Sequence, residues 1–305
     1  MTTLRARWNR AKALYLGESF VPYVLILPIT LALLLIFIYP LVNGFYLSFF
    51  NRQGEFVDLE NYTRLFNDSD FWHAFALTFI YVAVYTVGVF FVGFSTALIC
   101  DTAEKRQMRG ARLLEYFITF PYAIPDVVAA LIWFWMFDYQ LGIINYFLQS
   151  IGFTNAPIRW LTDPGLALYS VLLTTIWRLF PLHTLIILAA FKTVPQELYE
   201  AAEIDGAGTL RKFLQVTLPA TWKVISLLLL LTIVWSFKRF TILWLMTEGG
   251  PGNASETAVI YLYRWAFRYF NRNYAAAVGV VMFVVVTIIS ILYYLYRKRS
   301  VQALE

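Results

Sequence analysis

Pro195-Gln-Glu-Leu-Tyr-Glu200-Ala-Ala-Glu-Ile-Asp205-Gly206-Ala-Gly208-Thr-Leu-Arg-Lys-Phe-Leu-Gln-Val216-Thr-Leu218-Pro219 is a polar, helix-forming stretch set between long apolar runs. A hairpin joining two membrane spans needs no such segment, so its length predicts that something binds it. Pro195 suits the first turn of a helix over Glu197 to Ile204, and Gly206 supplies the left-handed residue that stops it. Thr209 suits the cap of a second helix that ends before Pro219. Leu198, Ala201, Ala202 and Asp205 recur at spacings of three and four, which gives the first helix a small-residue face that another surface can approach closely.

The surroundings of this loop are those of a membrane protein. The 305 residues are 60% hydrophobic and 19% aromatic but only 14% charged, more apolar surface than one water-soluble core can hide. A helix needs about 20 mostly apolar residues to cross roughly 30 Å of hydrocarbon. Six runs qualify, at about 20–49, 75–100, 116–137, 166–191, 224–246 and 274–296. The expected fold is therefore all-α: a polytopic chain with an N-terminal segment 1–19, a transmembrane domain 20–296 that includes the loop 192–223, and a tail 297–305. Arg5, Arg7, Arg10 and Lys12 precede the first run as in a signal peptide, but the run is too long and lacks a small-residue cleavage site, so it is read as retained.

With six spans both ends share one side, and the 24 Lys and Arg residues choose it. The side of the termini holds fifteen, in the N-terminal segment, at Lys105, Arg106, Arg109 and Arg112, at Lys192, Arg211, Lys212 and Lys223, and at 297–299. The other side holds six: Arg52, Arg64, Arg159, Arg264, Arg268 and Arg272. Both termini and the 192–223 loop are thus expected in the cytoplasm. The loops near 50–74, 138–165 and 247–273 face outward, and their aromatic residues, Asn and Gly suit an interface where a partner is met.

Covalent chemistry finds little support. The one cysteine, Cys100, forms no intrachain disulfide and no Cys-based metal site, and the two histidines, His73 and His183, fall in different regions. A membrane-embedded enzyme would want paired acid, base or metal-ligand side chains at one depth. An ion-coupled secondary transporter would want an inverted repeat and a set of acidic groups mid-membrane, and neither is found. No stretch reads as a phosphate-cradling G-x-x-x-x-G-K-[ST] loop, and Gly249-Gly250-Pro251-Gly252 reads as a hinge.

Glu200-Ala201-Ala202, three residues, Gly206, nine residues, Val216, one residue, Leu218-Pro219 resembles the EAA loop of ABC importer permeases, with Val where Ile is usual. The resemblance runs through Pro22-Tyr23, Tyr39-Pro40, Leu59-Glu60-Asn61-Tyr62, Ala129-Ala130-Leu131-Ile132-Trp133, Gly249-Gly250-Pro251-Gly252 and Tyr274-Ala275-Ala276-Ala277, and is similar to the carbohydrate type, as in maltose and glycerol-phosphate systems. It implies a type I importer permease fold in the bacterial or archaeal cytoplasmic (inner) membrane. It also implies a second permease subunit, two ATPases that bind ATP and Mg, and an extracytoplasmic solute-binding protein that delivers a sugar. Glu200, Ala201, Ala202, Asp205, Gly206, Leu218 and Pro219 would then couple the ATPases to the spans, and this chain would need no cofactor or metal of its own.

Three cations fall within spans, Arg178, Lys238 and Arg239, where a charge is expected to face a wet cavity or a partner. At helical spacing Thr174, Arg178 and Pro181 share a face, with Thr175, Trp177 and His183 near them. Thr232, Trp235 or Ser236, and Arg239 align likewise on the fifth span, with Lys238 adjacent. The equivalent halves of these spans line the path in carbohydrate permeases. Arg suits vicinal hydroxyls and Trp the C–H face of a sugar. Two roles remain open for Arg178 and Arg239: solute contact, or pairing with an acid or the second permease. His183 is read as a hydrogen-bonded interior residue, and Asp126 as support for the Pro125 kink. The solute class stays open between a neutral sugar and an anionic sugar or glycerol phosphate.

Overall fold

The computed structural model describes residues 21–302, so the N-terminal segment with Arg5, Arg7, Arg10 and Lys12 lies outside the described residues. Helices α1 (Val21–Leu33) and α2 (Tyr39–Leu47), joined by a π-turn at Leu34–Ile38, form one rod. A short α3 (Glu60–Phe66) leads to the longest helix, α4 (Ser69–Lys105). Then come α5 (Ala111–Ala123), α6 (Asp126–Met136), α7 (Ile143–Ser150) and α8 (Ala167–Lys192). The loop helices α9 (Gln196–Ile204) and α10 (Thr209–Lys212) precede a π-turn at Phe213–Thr217 and α11 (Leu218–Phe237). The chain closes with α12 (Thr241–Thr247), α13 (Ala258–Tyr263), a π-turn at Arg264–Arg268 and α14 (Arg272–Gln302). Among the described residues β pairing is limited to one antiparallel bridge, Phe50 to Phe56.

Five helices are long and apolar enough to cross a membrane, and a sixth crossing exists if the bent pair α5–α6 is counted as one span. That pair departs from the expected straight span at 116–137. Its two helices meet at 95°, because Pro125 lacks an N–H and forces Ile124 into an extended conformation (φ −78°, ψ 127°). The fifth span differs too. It runs from Thr209 to Phe237 and stops at Lys238, so 241–246, expected inside it, belong to the separate α12.

Nor does the second loop helix end before Pro219; it continues into α11. Proline denies the helix one N–H and crowds the carbonyl four residues back. The π-turn at Phe213–Thr217 widens the helix over that carbonyl, with Leu218 N–H reaching Phe213 O. The same device precedes Pro40, where Tyr39 N–H reaches Leu34 O. Two spans thus pass a proline by widening one turn.

The core lies between α4 and α8, which pack along most of their lengths. Glycine makes this possible: a Cβ on Gly93 would lie 2.7 Å from His183 Cβ, and one on Gly88 would lie 2.5 Å from Ile176 Cδ1. Tyr81, Tyr85 and Val89 of α4 meet Val171, Leu172 and Leu179 of α8, and α6 and α12 close the cluster with Ala130, Ile242 and Leu243. In contrast, none of the central apolar stretch of α1–α2 is buried; that rod meets the body through Tyr39–Leu47 against α14.

Candidate functional site

The loop helix α9 begins after Pro195 and ends in a paired cap: Gly206 N–H donates to Glu203 O at 3.0 Å and Ala207 N–H to Ala202 O at 2.9 Å. Gly206 holds φ +73°, the left-handed conformation this cap needs and β-carbon residues resist. Gly208, not Thr209, occupies the next cap position, and no side chain caps α10. Tyr199 ties α9 to the body, its hydroxyl 2.9 Å from Thr217 Oγ1 and Lys105 Nζ 4.9 Å from its ring centroid. Lys212 pairs with Glu203 at 3.2 Å, linking α10 back to α9.

The outward side of α9 has no partner within the described chain. Glu200, Ala201, Asp205 and Gly206 are exposed, while Ala202 turns partly inward. Ile204 is 88% exposed, Leu210 71% and Leu198 46%. Leu218 and Pro219 lie apart from it, on the first turn of α11.

A second site forms where α6, α8 and the break after α11 converge. Asp126, at the start of α6, lies with its Oδ1 2.5 Å from Arg178 Nε of α8; the contact is an ion pair without hydrogen-bond alignment. The Arg178 side chain is 14% exposed and that of Asp126 33%. Tyr122 stands 5.7 Å from the Arg178 guanidinium, and Trp177 packs edge-on against Trp133 at 5.5 Å. Asp126 is the one carboxylate within the six predicted spans, which is the signal that marks it as a counter-charge and not merely a kink support.

The break after Phe237 is what frees Lys238 and Arg239 from the helix. Arg239 therefore does not share a helical face with Thr232, as the spacing suggested. It turns over the Tyr85 ring at 5.6 Å, and its buried Nε has no hydrogen-bond partner. Trp235, Lys238, Arg239 and Asp126 line a cavity of about 250 Å³. Deeper inside, His183 bridges α8 and α11: Nε2 lies 2.8 Å from Thr232 Oγ1 and Nδ1 lies 3.1 Å from the Leu179 carbonyl. Thr174 and Thr175 are fully buried, their hydroxyls donating to the Ser170 and Val171 carbonyls, and Tyr81 donates to Thr175 Oγ1 at 3.2 Å. Ser236 likewise donates to Ile233 O at 2.7 Å. The structure thus gathers Arg178, Trp235, Lys238 and Arg239 around Asp126, and buries Thr174, Thr175, His183, Thr232 and Ser236 as internal hydrogen-bonding groups.

A third polar cluster holds the loops at the opposite end from α9. Asp68 caps α4 and accepts from the hydroxyls of Tyr261 at 2.6 Å and Tyr274 at 3.1 Å. Burial alone would raise the Asp68 carboxyl, but these hydroxyls and the amides of Asp70 and Phe71 hold it below its ordinary value. Glu256 is 3% exposed and pairs with Arg264 at 2.9 Å; burial nonetheless pushes it upward, with Asp70 adding to the effect. Arg264 also donates to Asn253 Oδ1 and the Glu248 carbonyl, pinning the loop that carries the glycine run 249–252. Among the described residues no group of three or more His, Cys, Asp or Glu is placed to hold a metal ion.

Comparison with known proteins agrees with this architecture. The chain is 34% identical over 285 residues to the sulfoquinovosyl glycerol transport system permease protein SmoG of Agrobacterium fabrum, covering 91% of this chain and 89% of that one. It is 31% identical over 297 residues to the trehalose/maltose transport system permease protein MalF of Thermococcus litoralis, covering 93% and 96%. The sn-glycerol-3-phosphate transport system permease protein UgpA of Pectobacterium atrosepticum is 31% identical over 290 residues, with 93% and 96% covered. A bacterial ABC transporter involved in the import of the acidic polysaccharide alginate superposes with a TM-score of 0.82 at 20% identity, over 96% of this chain and 99% of that one, which speaks for the fold. Residues 93–302, which hold both the α9 loop and the Asp126 cluster, match the family described as binding-protein-dependent transport system inner membrane component, and the chain belongs to that family.

Proposed function

We propose that this chain is the permease subunit of an ATP-driven importer and that its solute is a sugar or sugar derivative handed over by an extracytoplasmic binding protein. The observation that carries the coupling role is α9, a capped helix outside every span that presents Glu200, Ala201 and Asp205 beside the exposed Leu198 and Ile204. Such a surface suits the cleft of a partner ATPase, one for each permease of a pair. ATP and Mg sit on those partners, and this chain supplies no step of hydrolysis. Closure of the ATPases pushes α9, and because Tyr199 binds Thr217 in the π-turn below α11, the push reaches the fifth span.

The sugar assignment draws on the permease relatives, which serve sulfoquinovosyl glycerol, trehalose/maltose and sn-glycerol-3-phosphate transport systems. The route runs by Arg178, Trp177, Trp235 and Arg239, where planar donors and indole rings suit hydroxyl-rich rings. The excess of Lys and Arg on one side supports a cytoplasmic position for both termini and α9, with residues 1–19 ahead of the permease domain and the tail 297–305 behind it. The outer loops then meet the binding protein. In proteoliposomes holding the full transporter, Glu200→Lys and Gly206→Pro are expected to abolish vanadate-sensitive uptake while the binding protein's affinity is unchanged. Intact uptake in both variants would overturn the coupling role.

A further inference from the structure

The polar cluster is unevenly charged. Arg178, Lys238 and Arg239 converge where Asp126 is the one carboxylate within the predicted spans. Asp126 is engaged by Arg178, and neither Lys238 nor Arg239 forms an ion pair among the described residues. An uncompensated cation in a membrane interior is costly and calls for an anion. The buried Nε of Arg239 has no hydrogen-bond partner either, in a fold that pairs most such groups. Lys238 and Arg239 open on one space, the cavity of about 250 Å³ at the break Lys238–Phe240, which Asp126 also lines.

We propose that this cavity binds the oxyanion of a negatively charged sugar derivative, a sulfate or phosphate ester carried on a hydroxyl-rich body. Arg239 is the principal ligand, since its guanidinium projects two donors in a plane that matches two oxygens of the anion. Lys238 adds a second, mobile charge from the exposed side of the cavity. Trp235 lies against the C–H face of the sugar. Asp126 keeps Arg178 engaged and repels the anion from the far wall, so the charged end points to Arg239. The volume admits the oxyanion and part of one ring, leaving the remainder of the solute toward the neighbouring subunit. This inference rests on the importer reading and narrows its substrate class.

The test is equilibrium binding of radiolabelled glucose 6-sulfate to the complete transporter in nanodiscs of zwitterionic lipid, without nucleotide. Unlabelled glucose 6-sulfate should displace the label, inorganic sulfate should displace it more weakly, and glucose should leave it in place. Arg239→Gln should weaken binding by about tenfold or more and Arg239→Lys by about threefold, with Lys238→Gln between them. Equal displacement by glucose and glucose 6-sulfate in the unmodified protein would overturn the proposal, a comparison that needs no variant. So would unchanged affinity in Arg239→Gln, or a loss of permease pairing in that variant without a change in anion binding, which would assign Arg239 to the subunit interface. Displacement of the label by added phosphatidylglycerol alone would assign the site to a lipid headgroup and also reject it. Because the assay needs neither ATP nor α9, its failure leaves vanadate-sensitive uptake intact, whereas failure of the importer reading abolishes that uptake whatever the cavity binds.

Discussion

The α9 loop and the Asp126 cluster are built on opposite principles. The loop is local: its cap, its positive-φ glycine and its exposed face all lie within 195–208, and its hold on the body is the Tyr199 hydroxyl and ring. The cluster is non-local, joining α6, α8 and the break after α11 across more than a hundred residues of sequence, with Asp126 and Arg239 on one cavity. A local element is free to transmit force because little of its surface is committed to the core. A non-local polar cluster in an apolar surround is tied to the fold, since Arg178 and Asp126 depend on each other for compensation. Variants in the loop should therefore change transport without changing stability, and variants in the cluster should change both.

The largest separation is expected at Gly206. Proline cannot take φ +73°, so Gly206→Pro should reduce ATP-driven uptake to background while the melting temperature of the purified complex moves little; a large drop in melting would break the contrast. Next is Asp126→Ala, which leaves Arg178 without its carboxylate. Discounted for the 33% exposure of Asp126, the loss is about 2–3 kcal/mol, read by thermal melting in a mild detergent. The double variant Asp126→Leu with Arg178→Leu should recover much of that stability without recovering uptake.

Gly93→Val tests the packing on which the cluster rests. Its Cβ would meet His183 Cβ at 2.7 Å, so α4 and α8 must separate, at a cost of about 2 kcal/mol in melting experiments. His183→Phe removes the bridge to Thr232 and should cost about 1 kcal/mol, with uptake lowered and not lost.

The smallest effect lies at Asp68. Its carboxyl is held below the ordinary 3.8 in the folded protein, so its contribution is fully present above that value and fades as pH falls through the folded one. Asp68→Asn should therefore lower the stability slightly at pH 7, by less than about 1 kcal/mol as read from thermal melting, and the gap from the unmodified protein should close at strongly acid pH. A gap that widens on acidification would exclude this account.

Much of the loop was legible before any coordinates, since helix start, stop and exposed face follow from Pro195, Gly206 and a spacing of three and four. Its second helix was misjudged at Pro219, because a π-turn that relieves a proline leaves no mark in composition. The spans were legible as apolar runs, but the 95° bend after Ala123 and the break at Lys238 were not, since apolar composition reports length and not direction. Asp126 stood alone as an acid among predicted spans, yet its role needed its partner to be seen.

By itself the sequence determined the solvent, the number of apolar runs, the basic side and the capped loop helix, all consequences of composition and short-range spacing. Tertiary structure alone decided that Arg178 pairs with Asp126, that His183 and Thr232 join two spans from within, and that Arg239 turns to a cavity. These depend on how far α4 and α8 approach, on where a proline bends α5 into α6, and on where α11 ends. Such long-range geometry decides which charges find partners, and no local pattern encodes it.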